Sequence, residues 1–251
     1  MQNSLNVKKI VFLFHMFCFA LLFNANVFAL NENFNYKNVN GVELTEREYD
    51  VLVKAYGTTY VDNMTVDDYK WFEELFVDGN EIEVEFYYNE ENNTRGTSHS
   101  TSSKKLTIVK SCSTSKCTIV TTTQWLKNPV VRSYDVIGAR FNGTSLYSSS
   151  IITRVISTNG IEYFDNLKQY SNGFGVSVKL PTSATNLIID QKFYVTTSGT
   201  IFASYQHATE NISLATSKLY TLGANGYGNV FNFYGAASGI FDQMAGVDVT
   251  L

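Results

Sequence analysis

The chain has 251 residues, of which 44% are hydrophobic, and its 19 basic and 23 acidic side chains give a formal net charge of −4. This length allows one substantial domain with a small appendage. The acidic balance argues against sequence-independent nucleic-acid binding, which needs clustered Lys and Arg to release counterions, and it gives no attraction to anionic lipid. We therefore expect no nucleic-acid partner and do not favour membrane association.

The first 29 residues have the pattern of a secretory signal peptide. Lys8 and Lys9 precede an apolar run over residues 10–23, and Val27-Phe28-Ala29 offers a small residue for cleavage. The run is shorter than the roughly 20 apolar residues that span a bilayer. We predict a secreted, extracellular chain that is cleaved after about Ala29. Loss of the two lysines then changes the net charge from −4 to −6.

Residues 30–78 are predicted to form a lead-in and a helical hairpin. Thr45 is followed three residues later by Glu48, which is the pattern of a capping box, and apolar residues recur behind it at helical spacing. Thr65 and Asp68 repeat this pattern. The two signals predict an antiparallel helical pair over residues 44–77, with residues 58–64 as the connector.

Residues 79–251 have the texture of a β domain. Short runs rich in β-branched and aromatic residues alternate with Gly, Asn and Ser clusters about every ten residues. The predicted strands are 81–88, 105–111, 117–125, 133–141, 149–157, 160–164, 174–180, 186–196, 199–207, 212–219, 229–234 and 244–250. Because no long helical pattern interrupts them, we predict a mainly β fold: an antiparallel, jelly-roll-like β-sandwich preceded by the helical pair.

Two cysteines remain after removal of the leader, and they lie five residues apart. Cys112 and Cys117 fall between two predicted strands, so outside the cell we expect a disulfide that closes the end of a hairpin. It should fix the register of the hairpin and add little to global stability, because the loop it closes is short. With only His99 and His207 as further soft ligands, we expect no metal site, and no phosphate-binding loop indicates a cofactor.

One predicted strand carries an enzyme-like pattern. Residues Glu81, Glu83 and Glu85 alternate with apolar residues, which places the three carboxylates on one face of a strand. The segment resembles the acidic strand of laminarinase-like β-sandwich glycosidases over five residues, and it departs from that pattern at Glu83, where the family has Asp. The resemblance implies glycoside hydrolysis by paired carboxylates. The alternative is an amphipathic strand with its glutamates in water, which we favour.

Other polar patterns also have structural interpretations. Ser204 and His207 are separated by an odd number of residues and lie on opposite faces of a strand, so they do not predict a nucleophile–base pair. Arg132, Asp135 and Arg140 flank a strand, and we expect a buried pair between Asp135 and one of the arginines that fixes a turn, with a polar ligand site as the alternative. The Ser/Thr-rich segments 97–123 and 144–158 resemble the inserting hairpins of pore-forming β-toxins, although the strands 105–111 and 117–125 fall short of or only just reach the about 9–11 residues that span a bilayer.

The leading hypothesis is a secreted, non-catalytic β-sandwich protein that binds an extracellular or cell-surface ligand, either a carbohydrate or a protein. Loops on a rigid sandwich are a common binding platform. A membrane-active protein and a glycoside hydrolase are the alternatives. The richness in Asn, Ser, Thr and Tyr is typical of a bacterial secreted protein. The candidate ligand contacts are the residues Trp125, Tyr134, Tyr147, Tyr205, His207 and Tyr227.

Overall fold

The computed structural model describes residues 35–77, 80–83, 98–100, 102–147, 150–223, 230–242 and 246–251. The predicted leader, Glu85 and Tyr227 lie outside these residues. The described part of the chain is mostly β with few helices, as predicted, and its principal sheets are antiparallel.

Four α-helices are described. They are α1 (Glu46–Tyr56), α2 (Thr58–Asn63), α3 (Val66–Lys70) and α4 (Leu214–Ser217). The capping boxes predicted at Thr45 and Thr65 both form, which confirms the starts of α1 and α3. The predicted two-helix hairpin is too simple, because the supposed connector contains α2 and the second helix is α3 followed by a 3₁₀ turn at Glu73–Phe76. Gly57 allows the break between α1 and α2, since its φ is +84°.

The described β-strands number sixteen. They are β1 (Asn35–Lys37), β2 (Glu43–Thr45), β3 (Glu81–Glu83), β4 (Ser98–Ser100), β5 (Lys104–Cys112), β6 (Cys117–Trp125), β7 (Tyr134–Asn142), β8 (Ile152–Ser157), β9 (Gly160–Phe164), β10 (Leu167–Tyr170), β11 (Gly173–Lys179), β12 (Ile188–Val195), β13 (Thr200–Gln206), β14 (Tyr220–Leu222), β15 (Phe231–Phe233) and β16 (Val247–Thr250). One prediction is wrong: residues 212–219 contain α4 instead of a strand. Ser213 caps it, because the Ser213 side chain accepts a hydrogen bond from the Thr216 N–H.

Two antiparallel sheets form the sandwich. In the described part of the chain, one has seven strands in the order β3-β5-β6-β12-β8-β9, with β4 also paired to β5, and the other has five in the order β10-β11-β7-β13-β16. Alternate residues of both sheets point inward and form one buried core. Its members on the central strands include Ile119, Ile137, Phe193 and Tyr205, each with no exposed surface. The sandwich is thus built by period-two alternation on strands such as β6 and β7.

The helical segment covers the outer face of the seven-stranded sheet. Leu52, Tyr56 and Phe72 are buried against Val109 and Val120, which point outward from β5 and β6. This layer explains why the outer face of these strands is apolar as well as the inner one, and why β5 and β6 are buried over most of their length.

The outer face of the five-stranded sheet is covered by the segment after β13. Tyr220 and Phe231 of the β14–β15 hairpin pack there against Phe202 of β13. Gly175 of β11 permits the close approach, since a Cβ at this position would lie 2.5 Å from the Tyr220 hydroxyl and 2.8 Å from a ring atom of Phe231. The central strands of both sheets therefore have covered outer faces in the described part of the chain.

The predicted disulfide is confirmed. Cys112 and Cys117 are direct cross-strand partners at the ends of β5 and β6, with their Cα atoms 4.0 Å apart. Replacing both cysteines with serine is expected to lower the free energy of unfolding by no more than about 2 kcal/mol, because the bridge closes a very short loop. Urea unfolding of the oxidised protein and the double variant measures this difference. A loss several times larger would show that the bridge holds more than the hairpin.

Candidate functional site

Three of the six predicted ligand contacts meet at one end of the sandwich. Trp125 is the last residue of β6, Tyr205 lies near the end of β13, and His207 follows that strand. The Trp125 ring centroid is 6.2 Å from that of Tyr205 and 4.8 Å from that of His207, both in edge-on arrangements. Because β6 and β13 belong to different sheets, the face-to-face packing of the two sheets brings these strand ends together.

Asp135 is the hub of this cluster. It lies near the start of β7, has no exposed surface, and its carboxylate accepts hydrogen bonds from the Tyr205 hydroxyl and from the Ala208 N–H. The His207 Nδ1 lies 2.9 Å and 3.0 Å from its two oxygens. Tyr205 in turn accepts a hydrogen bond of 3.1 Å from the Trp125 indole N–H. The carboxylate is thus held by groups at the end of β13, the strand that pairs with β7, and these partners rigidify this end of the sandwich.

Lys104 and Asp242 extend the cluster toward the surface. The Lys104 ammonium forms an ion pair with Asp242, and it lies 5.2 Å from the Trp125 ring centroid. The other Asp242 oxygen accepts a hydrogen bond of 2.9 Å from the His207 N–H. The Lys104 side chain is 3% exposed, whereas that of Asp242 is 28% exposed. Asp242 is therefore the member of this ion pair that faces solvent.

The environment of Tyr205 keeps its hydroxyl protonated. Burial raises the pKa of Tyr205 well above its usual value of 10.0, and the negative charge of Asp135 adds to this effect. A neutral Tyr205 hydroxyl can donate to Asp135 at any physiological pH. This part of the cluster therefore acts as a fixed hydrogen-bond network.

The cluster has one feature of a catalytic dyad, since a carboxylate orients the Nδ1 side of His207. A nucleophile is needed to complete such a device. Ser204 does not supply it: as the strand parity predicts, it lies on the other face of β13, where its hydroxyl accepts a hydrogen bond from the Val230 N–H at 3.0 Å. The geometry therefore supports a structural network around a buried histidine.

The remaining predicted contacts lie elsewhere. Tyr134 is partly buried under the Lys179 ammonium, 4.9 Å from its ring centroid. Tyr147 is 54% exposed. Its N–H donates to the carbonyl of Tyr194, near the end of β12 that lies away from the Trp125 cluster. The structure thus does not bring Tyr134 and Tyr147 into contact with the Trp125 cluster.

The predicted acidic strand is described only over its first three residues, Glu81–Glu83. β3 covers Glu81 and Glu83 and pairs at the sheet edge with the last residues of β5. Their carboxylates are not described, and Glu85 lies outside the described residues, so the glycosidase-like pattern stays a prediction.

The predicted ion pair between Arg132 and Asp135 is wrong. The Arg132 guanidinium instead donates to the carbonyls of Pro129 and Pro181 at 3.0 Å and 3.1 Å. Asp135 takes His207 as its partner because the pairing of β7 with β13 places the two at the same strand end. Spacing along the chain favoured Arg132 as the partner of Asp135, but the structure pairs Asp135 with His207, which is 72 residues away.

The loop over residues 126–132, here named the apical loop, was missed by the sequence analysis. Val130 at its tip is 98% exposed and Leu126 is 48% exposed, whereas Pro129 between them is buried. Arg132 holds the loop through the Pro129 carbonyl, and the N–H groups of residues 126 and 127 bond to the Ser103 carbonyl at 2.8 Å and 3.2 Å. The usable sequence signal was an apolar Val-Val pair directly after a proline.

The apical loop begins where the Trp125 cluster ends, since Leu126 follows Trp125 directly. The described residues hold no group of three or more His, Cys, Asp or Glu side chains arranged for a metal ion. None of the described helices is long and apolar enough to cross a membrane. The hairpin β5–β6, which resembles a toxin hairpin in sequence, is buried inside the seven-stranded sheet.

No protein-family model matches the chain, and no curated protein matches it. Among solved structures, ACE19, the collagen-binding subdomain of the Enterococcus faecalis surface protein ACE, is 10% identical with a TM-score of 0.30, over 38% of this chain and 77% of that one. The collagen-binding domain of the Erysipelothrix rhusiopathiae surface protein RspB is 8% identical with a TM-score of 0.32, over 64% and 58% of the two chains.

A third solved structure concerns Streptococcus parasanguinis adhesion by Fap1 fimbriae. It is 13% identical with a TM-score of 0.30, and the match covers 71% of this chain and 92% of that one. All three similarities are weak, and we base no conclusion about this chain on them.

Proposed function

We propose that this chain is a secreted or cell-surface protein that binds an extracellular protein ligand through the apical loop and catalyses no reaction. The signal-peptide pattern of residues 1–29 and the disulfide support the extracellular compartment. In this proposal residues 30–78 and 79–251 act as one unit, since the helical segment covers the sandwich.

The observation that carries the proposal is the exposure of Val130 on a rigid loop. An apolar side chain that is 98% exposed gains free energy when a partner covers it. The loop is held by Arg132 and by the Ser103 carbonyl, so little conformational entropy is lost on binding. A preformed apolar projection of this kind suits an anchor that enters a pocket on a protein surface.

The cluster beneath the loop supports the same interpretation. Its carboxylate is used inside the fold by Tyr205, His207 and Ala208, which suits fixing the strand ends better than acting on a substrate. The partly exposed Asp242 adds a polar group at the same end of the sandwich. An apolar centre with a polar surround is the usual composition of a protein interface.

A parallel binding assay tests the proposal against its alternatives. The oxidised chain 30–251 is incubated with immobilised extracellular-matrix proteins, with insoluble polysaccharides, and with neutral and anionic liposomes, and released sugar is measured in the polysaccharide tubes. We expect retention on protein and no release of sugar. Retention only on liposomes, or sugar release that Glu81→Gln abolishes, would overturn the proposal.

A further inference from the structure

Strand β9 is an open edge of the seven-stranded sheet. In the described part of the chain β9 pairs with β8 on one side and is the last strand of the order on the other. Four of its five residues are exposed, and Phe164 is partly buried. Proteins commonly guard such an edge with proline, lysine, a bulge or a cover. β9 contains no proline or lysine.

The backbone groups of Ile161 and Tyr163 point away from β8. Ser157 and Gly160 close a two-residue hairpin and face each other across it, and such a closing pair exchanges hydrogen bonds. Since hydrogen-bonded residues alternate along an antiparallel strand, residues 160, 162 and 164 bond to β8. The N–H and C=O groups of Ile161 and Tyr163 are therefore available on the open side.

Three exposed apolar side chains flank this edge on one face. Ile161 is 41%, Tyr163 62% and Ile152 37% exposed. The register pairs Tyr163 with Arg154 and Ile161 with Ile156, so these side chains share the outer face with Arg154. The helical layer covers that face up to Arg154 and leaves this border of the sheet uncovered. We name Ile152, Ile161 and Tyr163 the β9 margin.

Glu162 points to the other face and sits at the centre of the edge. Two copies of β9 that pair antiparallel with the greatest overlap would set Glu162 directly opposite Glu162, and like charges in that position are destabilising. The charge therefore disfavours a second copy of this chain and favours a strand with a basic residue at its centre.

We propose that β9 accepts an extended strand of a partner protein by β-sheet addition, with a Lys or Arg opposite Glu162 and apolar residues opposite Ile161 and Tyr163. The main-chain groups of Ile161 and Tyr163 supply the hydrogen bonds, and the β9 margin supplies the apolar contact. This surface is separate from the apical loop, so its test is independent of the proposed function.

Peptide binding followed by amide chemical shifts tests this site in the full chain 30–251. The probes are the synthetic peptides Ser-Val-Lys-Val-Ser and Ser-Val-Glu-Val-Ser. We expect the lysine peptide to shift the amides of residues 160–164 and to bind about fivefold more tightly than the glutamate peptide, because attraction replaces repulsion at Glu162. Glu162→Lys should reverse this preference, whereas Glu210→Lys, at an exposed position outside the edge, should leave it unchanged.

Ile161→Pro provides a backbone test. Proline is tolerated on an edge strand where its missing N–H would face solvent, so the fold should survive. We expect the variant to bind the lysine peptide at least about fivefold more weakly, through loss of an edge donor. Ile161→Thr keeps the donor, so its affinity for the lysine peptide should lie between those of the wild type and Ile161→Pro. If the proline variant does not fold, weaker binding by Ile161→Thr than by the wild type is the expected result. Three results would each overturn the proposal: equal binding of both peptides, amide chemical-shift changes that leave residues 160–164 unaffected, or dimerisation of the chain through β9.

Discussion

Replacing Asp190 with alanine is expected to lower the free energy of unfolding by about 3 kcal/mol, because the buried Arg154 cation then keeps only the more distant Asp68 carboxylate, 3.8 Å from its guanidinium. Asp190 on β12 has no exposed surface, and the Arg154 guanidinium of β8 donates to it at 3.0 Å and 3.1 Å. The Tyr56 hydroxyl of α1 donates to its other oxygen at 3.1 Å. One carboxylate therefore joins the helical layer to the seven-stranded sheet.

The aromatic surroundings of Arg154 make this loss hard to repair. The guanidinium is buried, and its central carbon lies 4.0 Å from the Trp71 ring centroid. Water cannot replace the missing carboxylate without opening the layer over Trp71. Burial lowers the pKa of Arg154, and the negative charge of Asp190 raises it, with a net increase. The cation persists after Asp190 is removed because the arginine guanidinium does not lose its proton in proteins.

Chemical denaturation of the wild type and Asp190→Ala measures the effect. Asp67→Ala is the matched control, because Asp67 also pairs with a cation, Lys70, and its side chain is 87% exposed. We expect the control to unfold at the same denaturant concentration as the wild type, because an exposed ion pair is screened by solvent. A similar small loss in both variants would show that the buried pair does not hold the helical layer to the sheet.

The second large effect is alkaline unfolding. Burial raises the pKa of Tyr56, Tyr60, Tyr205 and Tyr220 above the usual 10.0. Above pH 10 the unfolded chain releases these protons while the folded chain keeps them, so stability falls as pH rises. Each such tyrosine contributes a slope that approaches about 1.4 kcal/mol per pH unit until its folded pKa is reached.

Two lysines act in the opposite direction. Burial lowers the pKa of Lys105 and of Lys192, so the folded chain releases these protons first and gains stability as pH rises through the range between the folded and unfolded values. The four tyrosines outnumber them, and the net slope is negative. The predicted result is cooperative loss of structure above pH 10.

Parallel spectra test the alkaline prediction. Tyrosinate absorbance and circular dichroism are followed over the same titration, and the buried tyrosines should ionise only as the circular dichroism of the fold is lost. Tyr220→Phe serves as the internal control and should remove one group from the late phase only, because burial raises the pKa of Tyr220. Complete tyrosine ionisation in a chain with native circular dichroism would contradict the account.

The features that were predictable from sequence are local ones. The capping boxes at Thr45 and Thr65 involve residues three apart, and the disulfide joins residues five apart across a hairpin end. Strand β6 was predicted with its observed bounds because residues 118–123 are all β-branched, which favours a strand. In residues 212–219 the local pattern was ambiguous. Ser213 caps a short helix there, and this capping signal was overlooked.

The features that were missed depend on distant partners. Asp135 and His207 are 72 residues apart, and Tyr56 and Asp190 are 134 apart, so spacing along the chain gives no sign that either pair forms. Tyr205 and His207 are two residues apart, which places them on one face of the strand, and the structure places both side chains at the Asp135 carboxylate. Arg132 holds the apical loop through the nearby Pro129 carbonyl and also through the Pro181 carbonyl 49 residues away, and sequence spacing gives no sign of this second bond.

The covered sheet faces link the fold to the proposed function. Helices occupy one outer face and the segment around Tyr220 and Phe231 occupies the other. A partner therefore meets this protein at its strand ends or its open edges. The apical loop is such a strand end, and it presents the most exposed apolar side chain among those described.

The most direct test of the proposed function is the affinity of Val130→Asp for the protein ligand retained in the binding assay. Val39→Asp is the matched control, because Val39 is also an exposed valine, at 77%, and lies in the turn between β1 and β2. We predict that Val130→Asp weakens binding at least about tenfold and that Val39→Asp leaves it within about twofold. Equal affinity of wild type and Val130→Asp would contradict binding through the apical loop.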